Sequence, residues 1–307
     1  KPMAIFFSIF GLIGTLCLMQ ANQLTEALFA TFVVPNGYKS TFGLKLGIGI
    51  FICVIVSIVV LGGIERISKV SAKLVPTMIA LYFILVGYII VTNLPLIPDI
   101  LSDIFTQAFQ FKAGLGGLAG SAIVIGARRA VFVNEAGVGT ASMMHGASKN
   151  SEPVREGLVA MIAPSIDSGL VCTLTAFAIL INAQYEVSQI QGIQMAINSF
   201  EASIPGLGSY FLMLISIIFA FSTMFSYSYY GVKCTNFLFG AKYAHYYNYF
   251  FLIMLIVGAV ISVDVVVGVI DSAYALMAIP TMTCLILLAP NVKREMKKYF
   301  AANKKIL

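Results

Sequence analysis

The residues that could bind a ligand are polar side chains placed inside long apolar stretches of the sequence. In the first of these stretches, Gln20, Gln23 and Glu26 recur every three residues, so they share roughly one face of a helix. A polar face on an apolar helix either joins neighbouring helices by hydrogen bonds or faces a bound ligand. The spacing leaves both interpretations open.

Two further groups have oxygen atoms that suit a cation. Ser222 and Thr223 are adjacent in an aromatic stretch, and Asp167 lies about ten residues into another apolar stretch. Hydroxyls in helices often donate to the carbonyl four residues earlier, but adjacent hydroxyls can also supply ligands to an alkali cation. A carboxylate at the depth of Asp167 suits a cation ligand or a proton carrier.

A glycine-rich segment, residues 113–120, leads directly into a charged one that contains Arg128, Arg129, Asn134 and Glu135. The glycine-rich segment fits the G-x-G-x-x-A pattern of a dinucleotide site. No strand precedes it and its flanks are apolar, so this match is discarded. The glycines allow either close packing of helices or a break in a helix, where freed backbone groups could bind a ligand.

No catalytic machinery is recognisable in the sequence. The hydrolase, metalloprotease and ATP-binding motifs are absent, and both histidines, His145 and His245, lie outside the apolar stretches. The five cysteines are too far apart for a zinc site or a disulfide set. We therefore expect neither an enzyme nor a cofactor. Transport driven by an ion gradient is favoured, and the other class is a channel, a receptor or an assembly subunit.

The composition places the chain in a membrane. Of its 307 residues, 59% are hydrophobic and 10% are charged, and the mean hydropathy is +0.94. A soluble domain needs more charge to cover its surface, and disorder and nucleic-acid binding are excluded on the same ground.

Eight stretches approach or exceed the ~20 residues that a membrane-crossing helix needs, which predicts an all-α, polytopic membrane bundle. The first is expected to be one long, tilted helix. The last two are expected to be separated by a turn at residues 270–272. The stretches are Met3 to about Val34, Phe42–Ile64, Leu74–Val91, Ala113 to about Val133, Leu158–Ile181, Leu207 to about Tyr230, Tyr249–Val269 and Ala273–Leu288.

The basic residues predict an orientation. All but three of the 19 lysines and arginines, Arg129 included, fall on one side together with both termini. That side is predicted to be cytoplasmic in a multi-pass protein of the cell membrane. Asp271 is assigned to the outer side, which has only three basic residues, Lys39, Lys45 and Lys112. Since tryptophan is absent, tyrosines such as Tyr227 and Tyr247 could form the interfacial belt.

Five segments follow one another along the chain: MQANQLTEAL, ARRAVFVNEAGVGTASMMHGASK, REGLVAMIAPSIDSGLVCTLTAFAIL, FAFSTMFSYSYYG and ALMAIP. Together they resemble the alanine or glycine:cation symporter family, whose core has the leucine-transporter fold. The resemblance implies two inverted five-helix repeats, in which the eight stretches are core helices three to ten. It also implies a single transmembrane domain over residues 1–307 that lacks its N-terminal helices. The glycine-rich break would then have no counterpart in the chain.

The same resemblance implies the site residues. The substrate would be bound by residues of the first stretch and of the broken sixth core helix: Gln20, Cys17, Gly116, Gly117, Leu118 and Gly120. The cation, with sodium as the first choice of metal, would be bound by Ser222 and Thr223. A cytoplasmic-loop signature would comprise Arg129, Asn134, Glu135 and Gly137, of which Asn134 and Glu135 would organise the loop and not touch the substrate. Cys17 and Leu118 replace an asparagine and a phenylalanine of the family pattern.

The function implied is symport of a small neutral amino acid, alanine or glycine, with sodium or protons. The mechanism would be alternating access, and the partners would be the amino acid, an alkali cation and the lipid bilayer, with no nucleic acid. The alternative is a transporter-like membrane protein without coupled transport, such as a sensor or a channel.

Overall fold

The computed structural model describes residues 1–109, 121–135, 137–182 and 192–302. Within these ranges all regular structure is helical, and seven helices are long and apolar enough to cross a membrane. This confirms the predicted all-α, polytopic bundle. The spans are Pro2–Val33, Phe42–Val60, Gly63–Thr92, Pro153–Leu180, Gly208–Phe239, Ala241–Val260 and Val263–Ala302. The predicted stretch Ala113–Val133 is described only from residue 121.

The first span is broken in its middle, so the prediction of one long, continuous helix was wrong. Helix α1 covers Pro2–Gly14, α2 covers Leu18–Leu28, and a π-helical turn follows at Phe29–Val33. Between α1 and α2, Cys17 takes a left-handed conformation with φ of 49°. The glycine-rich segment is therefore not the only candidate for an interrupted helix, contrary to expectation.

Three helices follow, and the first two of them form a hairpin. Helix α3 covers Phe42–Val60, α4 covers Gly63–Thr92 and α5 covers Ile97–Ala108. The Arg66 guanidinium donates to the Ile58 carbonyl at 2.7 Å, which ties the start of α4 to the end of α3.

The middle of the chain contains the signature segment. Helix α6 covers Ser121–Asn134 and α7 covers Thr140–His145. A longer span then joins α8, Pro153–Pro164, to α9, Cys172–Leu180, through a π-helical segment at Ser165–Val171. Such π-helical turns recur at functional sites, and this one contains Asp167.

The last helices are α10, Ile193–Ser203; α11, Gly208–Phe239; α12, Ala241–Ala244; α13, Tyr246–Val260; and α14, Val263–Ala302. The predicted turn at residues 270–272 was wrong, because the chain turns at residues 261–262 instead. The Asn22 amide caps the end of α13 by donating to the carbonyls of Gly258 at 3.1 Å and Ile261 at 2.8 Å. Helix α14 then runs uninterrupted through Asp271.

The core lies around α11. One cluster of buried side chains joins the α1–α2 break to α3, α11, α13 and α14, and a second joins α4, α9, α10 and α11. Because α11 contributes to both clusters, it packs against the α1–α2 break on one side and against α4, α9 and α10 on the other.

The assignment of Arg129 and Asp271 to opposite sides of the membrane was wrong for at least one of them. The Arg129 guanidinium lies 2.6 Å from the Asp271 carboxylate. The two residues therefore lie at the same depth, where α6 passes α14. Asp271 could not be recognised as a helical residue from sequence, because its charge is satisfied by this distant partner.

Candidate functional site

The break between α1 and α2 is built from backbone groups that leave the helical pattern. The Leu16 amide donates to the carbonyl of Ile13 at 3.2 Å, so the carbonyl of Leu12 loses its helical donor. The Tyr247 hydroxyl donates to Leu12 instead, at 2.9 Å. That hydroxyl also lies 3.0 Å from Oγ1 of Thr15. Tyr247 thus fixes the break from helix α13.

Space for the Tyr247 ring comes from a glycine on α11. A Cβ atom added to Gly231 would overlap the ring. Tyr247 is 4% exposed and Tyr227 is 8% exposed, so neither belongs to an interfacial belt, and that expectation was wrong for both. The sequence showed tyrosines but not the buried hydroxyl partners that hold them inside the bundle.

Cys17 and Thr223, predicted for two different ligands, meet at the break. Cys17 is 2% exposed, and its thiol lies 3.9 Å from the Thr223 carbonyl oxygen. The substrate and cation sites predicted from sequence are therefore adjacent in the fold.

The three residues Gln20, Gln23 and Glu26 of α2 have different environments. Gln23 donates to the Asn22 side chain at 3.2 Å, and Glu26 forms an ion pair with Lys45. The half-buried Gln20 amide makes no hydrogen bond with any residue in the described ranges. Of the three, Gln20 is the one whose donor and acceptor remain available to a ligand. The interhelical interpretation therefore holds for Glu26, and the ligand-facing one stays a prediction for Gln20.

The adjacent hydroxyls of α11 bond locally. Ser222 and Thr223 donate to the same carbonyl, that of Phe219, at 2.9 and 3.0 Å. Ser222 is also buried against the Met78 sulfur at 3.8 Å. This is the local bonding that the sequence left open. It still gathers three oxygens on one helical turn, and each hydroxyl oxygen keeps lone pairs.

The signature residues connect several helices. Asn134 donates to the Ser168 hydroxyl at 3.2 Å, and Gly137 has φ of 79°, a conformation that favours glycine. The Glu135 carboxylate accepts hydrogen bonds from the hydroxyls of Thr140 and Tyr227. Glu135 thus contacts the loop that it was expected to organise, and it also reaches α11 in the core.

The remaining predicted substrate residues, Gly116, Gly117, Leu118 and Gly120, lie outside the described residues. Sequence reasoning did not place four residues near the predicted site, because their contacts are with partners far away in sequence: Asn22, Tyr227, Tyr247 and Tyr274.

The model of the sodium:alanine symporter family matches residues 1–306. The chain belongs to this family. It is 34% identical over 298 residues to the sodium/alanine symporter AgcS of Methanococcus maripaludis, which covers 96% of this chain and 63% of that protein. It is 30% identical to the uncharacterized transporter YflA of Bacillus subtilis, covering 98% of this chain and 64% of YflA.

A third family relative is named for its coupling ions. The sodium/proton-dependent alanine carrier protein of Bacillus sp. strain PS3 is 32% identical over 232 residues, covering 71% of this chain and 50% of the carrier. The chain spans less than two thirds of the length of these three symporter-family relatives.

Proposed function

We propose that the protein containing this chain is a secondary active symporter that moves a small neutral amino acid, alanine or glycine, into the cell with sodium or protons. It would work by alternating access in the cell membrane, with both termini of this chain in the cytoplasm. The observation that carries the proposal is the buried break at residues 15–17, where Cys17 meets Thr223 and the amide of Gln20 is available.

The break suits the charges of an amino acid. The first N–H groups of α2 have no intrahelical acceptor, and Cys17 supplies no side-chain cap. N–H groups at a helix start favour a carboxylate, and carbonyls at a helix end favour an ammonium group. Gln20 adds one donor and one acceptor beside them. A zwitterion matches this set of donors and acceptors.

The cation would lie next to the substrate. The hydroxyls of Ser222 and Thr223 would supply two oxygen ligands on the helix that passes Cys17. An alkali cation needs several oxygens, so backbone carbonyls from other segments would complete its shell. The residues 116–120 would complete the substrate site.

The test is uptake by the full-length protein in liposomes. We expect alanine or glycine uptake that depends on an imposed inward sodium or proton gradient. The Gln20→Ala variant should raise the KM about tenfold, or roughly 1.4 kcal/mol, while Gln23→Ala should leave it unchanged because Gln23 bonds to Asn22. Ion-independent flux would favour a channel, and binding without flux would favour a sensor.

A further inference from the structure

The Glu135 side chain contacts two helices directly and a third through a tyrosine. One carboxylate oxygen accepts a hydrogen bond from Tyr227 of α11, and the other accepts one from Thr140, the first residue of α7. The Tyr227 hydroxyl lies 3.1 Å from that of Tyr274 on α14. A connected chain of polar groups therefore runs from α7 through Glu135 to α14.

This carboxylate has no cationic partner among the described residues, where the ion pairs involve other acids. A carboxylate in an apolar bundle without a countercharge favours binding a proton. The groups that face it from every packed element are hydroxyls, a thiol and one acid: Thr140, Tyr227, Tyr230, Tyr274, Cys17 and Asp167.

The environment shifts the acidity of Glu135 in a defined direction. Burial raises the pKa of its carboxyl above the usual range. The hydrogen bonds from Thr140 and Tyr227 lower that pKa, and the like charge of Asp167 raises it. Replacing Thr140, Tyr227 or Asp167 should therefore shift the pKa of Glu135 in a direction that is known in advance.

The ligands present suit a proton better than a metal ion. In the described part of the chain, Glu135 does not belong to a group of three His, Cys, Asp or Glu side chains that could hold a metal ion through such ligands. Hydroxyl hydrogens already point at both carboxylate oxygens, so no oxygen cage is open there. A proton needs only one of those oxygens.

One member of this polar chain borders an open cavity. Tyr274 lines an open cavity of about 500 Å³ between α6 and α14, together with Arg128, Asp271 and Ser272. The Tyr274 hydroxyl in turn lies 3.1 Å from that of Tyr227, which donates to Glu135.

We propose that Glu135 is a proton-binding site through which a proton is coupled to amino-acid transport. This inference rests on the symport function proposed above. When ionised, Glu135 holds Thr140 and Tyr227, and the following loop stays docked, with the Val138 carbonyl accepting from Thr281 at 3.0 Å. A bound proton turns one acceptor oxygen into a donor. The Thr140 or Tyr227 hydroxyl must then turn from donating to accepting or lose its contact, which loosens the attachment of the loop to Glu135.

Symport requires that proton and substrate favour each other's binding, and this coupling is reciprocal. The KM for alanine in the full-length protein should therefore be lowest below the pKa of Glu135 and rise as pH increases through it. A substrate-induced pKa shift of one unit corresponds to about a tenfold change in KM. The Glu135→Gln variant, which resembles the protonated form, should keep a low KM at every pH.

Neighbouring variants should move the midpoint in opposite directions. Asp167→Asn removes a like charge, so the midpoint should shift to lower pH. Tyr227→Phe removes a donor to the ionised carboxylate, so the midpoint should shift to higher pH. Glu156→Gln is the matched control, because that carboxylate pairs with His145 at 2.7 Å and does not touch Glu135. It should leave the profile unchanged.

Infrared difference spectra between low and high pH separate this inference from the transport function. The wild-type protein should show a protonated-carboxyl band that Glu135→Gln lacks, even if no uptake is detected. The same band in Glu135→Gln, or a pH-dependent KM in that variant equal to that of the wild type, would overturn the proton site. Loss of uptake with the band retained would count against symport alone.

Discussion

The Tyr247 hydroxyl lies 2.9 Å from the carbonyl oxygen of Leu12, although the two residues are 235 positions apart. This bond replaces the helical bond that the Leu16 amide would have made. A residue of α13 therefore satisfies the backbone at the end of α1, and the broken conformation is stabilised from outside the helix that it interrupts.

Tyr247→Phe should destabilise the break without removing the packed ring. The partly buried Leu12 carbonyl would be left without its donor, which costs about 1 kcal/mol. We expect a lower Tm and a KM for alanine raised roughly fivefold, or about 1 kcal/mol, because Gln20 and Cys17 lose their fixed position. Uptake and thermal unfolding of the full-length protein measure both effects.

Tyr82→Phe is the matched control for that prediction. The Tyr82 hydroxyl also bonds to a carbonyl, that of Val171 at 2.8 Å, and to a threonine, Thr175 at 2.6 Å. It lies in the other core cluster, away from the break. Both variants should lose stability, but only Tyr247→Phe should change the KM. An equal change in both would assign Tyr247 to general stability.

The break shows what the sequence could and could not predict. The first apolar stretch was long enough to span a membrane, and Gln20 stood out because amides are rare there. The interruption at Cys17 depends on Tyr247 and Thr15, which become neighbours only in the folded chain. The two glycines of α1 do not mark the break, because both serve close packing: Cβ atoms added there would overlap neighbouring side chains.

The turn between the last two helices was misplaced for the same physical reason. Asp271 and Ser272 are polar residues between apolar runs, a pattern that usually marks a loop. In the structure Arg129 supplies the countercharge at 2.6 Å, so the helix continues. Local patterns predict where helices occur, but a distant partner decides whether one polar residue ends a helix.

Thr223→Ala tests the cation site. Removing one oxygen ligand should weaken apparent sodium affinity about tenfold, or roughly 1.4 kcal/mol, if sodium is the coupling ion. The KM for alanine at saturating sodium should change less. Thr235→Ala on the same helix is the control, since its hydroxyl also bonds locally, to the Gly231 carbonyl at 2.9 Å. Unchanged sodium dependence in Thr223→Ala would mean that the Thr223 hydroxyl of the wild-type protein bonds only to its own helix and is not a cation ligand.

Glu201 should stabilise the start of α11 in a pH-dependent way. Its carboxylate accepts hydrogen bonds from the backbone amides of Ser209 at 2.9 Å and Gly206 at 2.5 Å. The Ser209 amide is the main cause that lowers the pKa of Glu201. A lowered pKa in the folded state stabilises the protein at neutral pH, and this contribution disappears as pH falls through that pKa. Glu201→Gln should lower the Tm at pH 7 and remove that part of the acid dependence, whereas an unchanged Tm would contradict the cap.

The orientation can be tested by labelling single cysteines in intact cells with a membrane-impermeant thiol reagent. Lys39 and Asp103, both exposed, are predicted to lie outside, so cysteines there should react. Lys69, Asn150 and Lys242, also exposed, are predicted to lie in the cytoplasm, so cysteines there should react only after the cells are opened. Lys39 precedes α3 and Lys69 lies near the start of α4, so the two residues should be separated by a single membrane crossing, that of α3. The reverse pattern, with Lys69 labelled and Lys39 protected, would invert the whole bundle and place both termini of this chain outside.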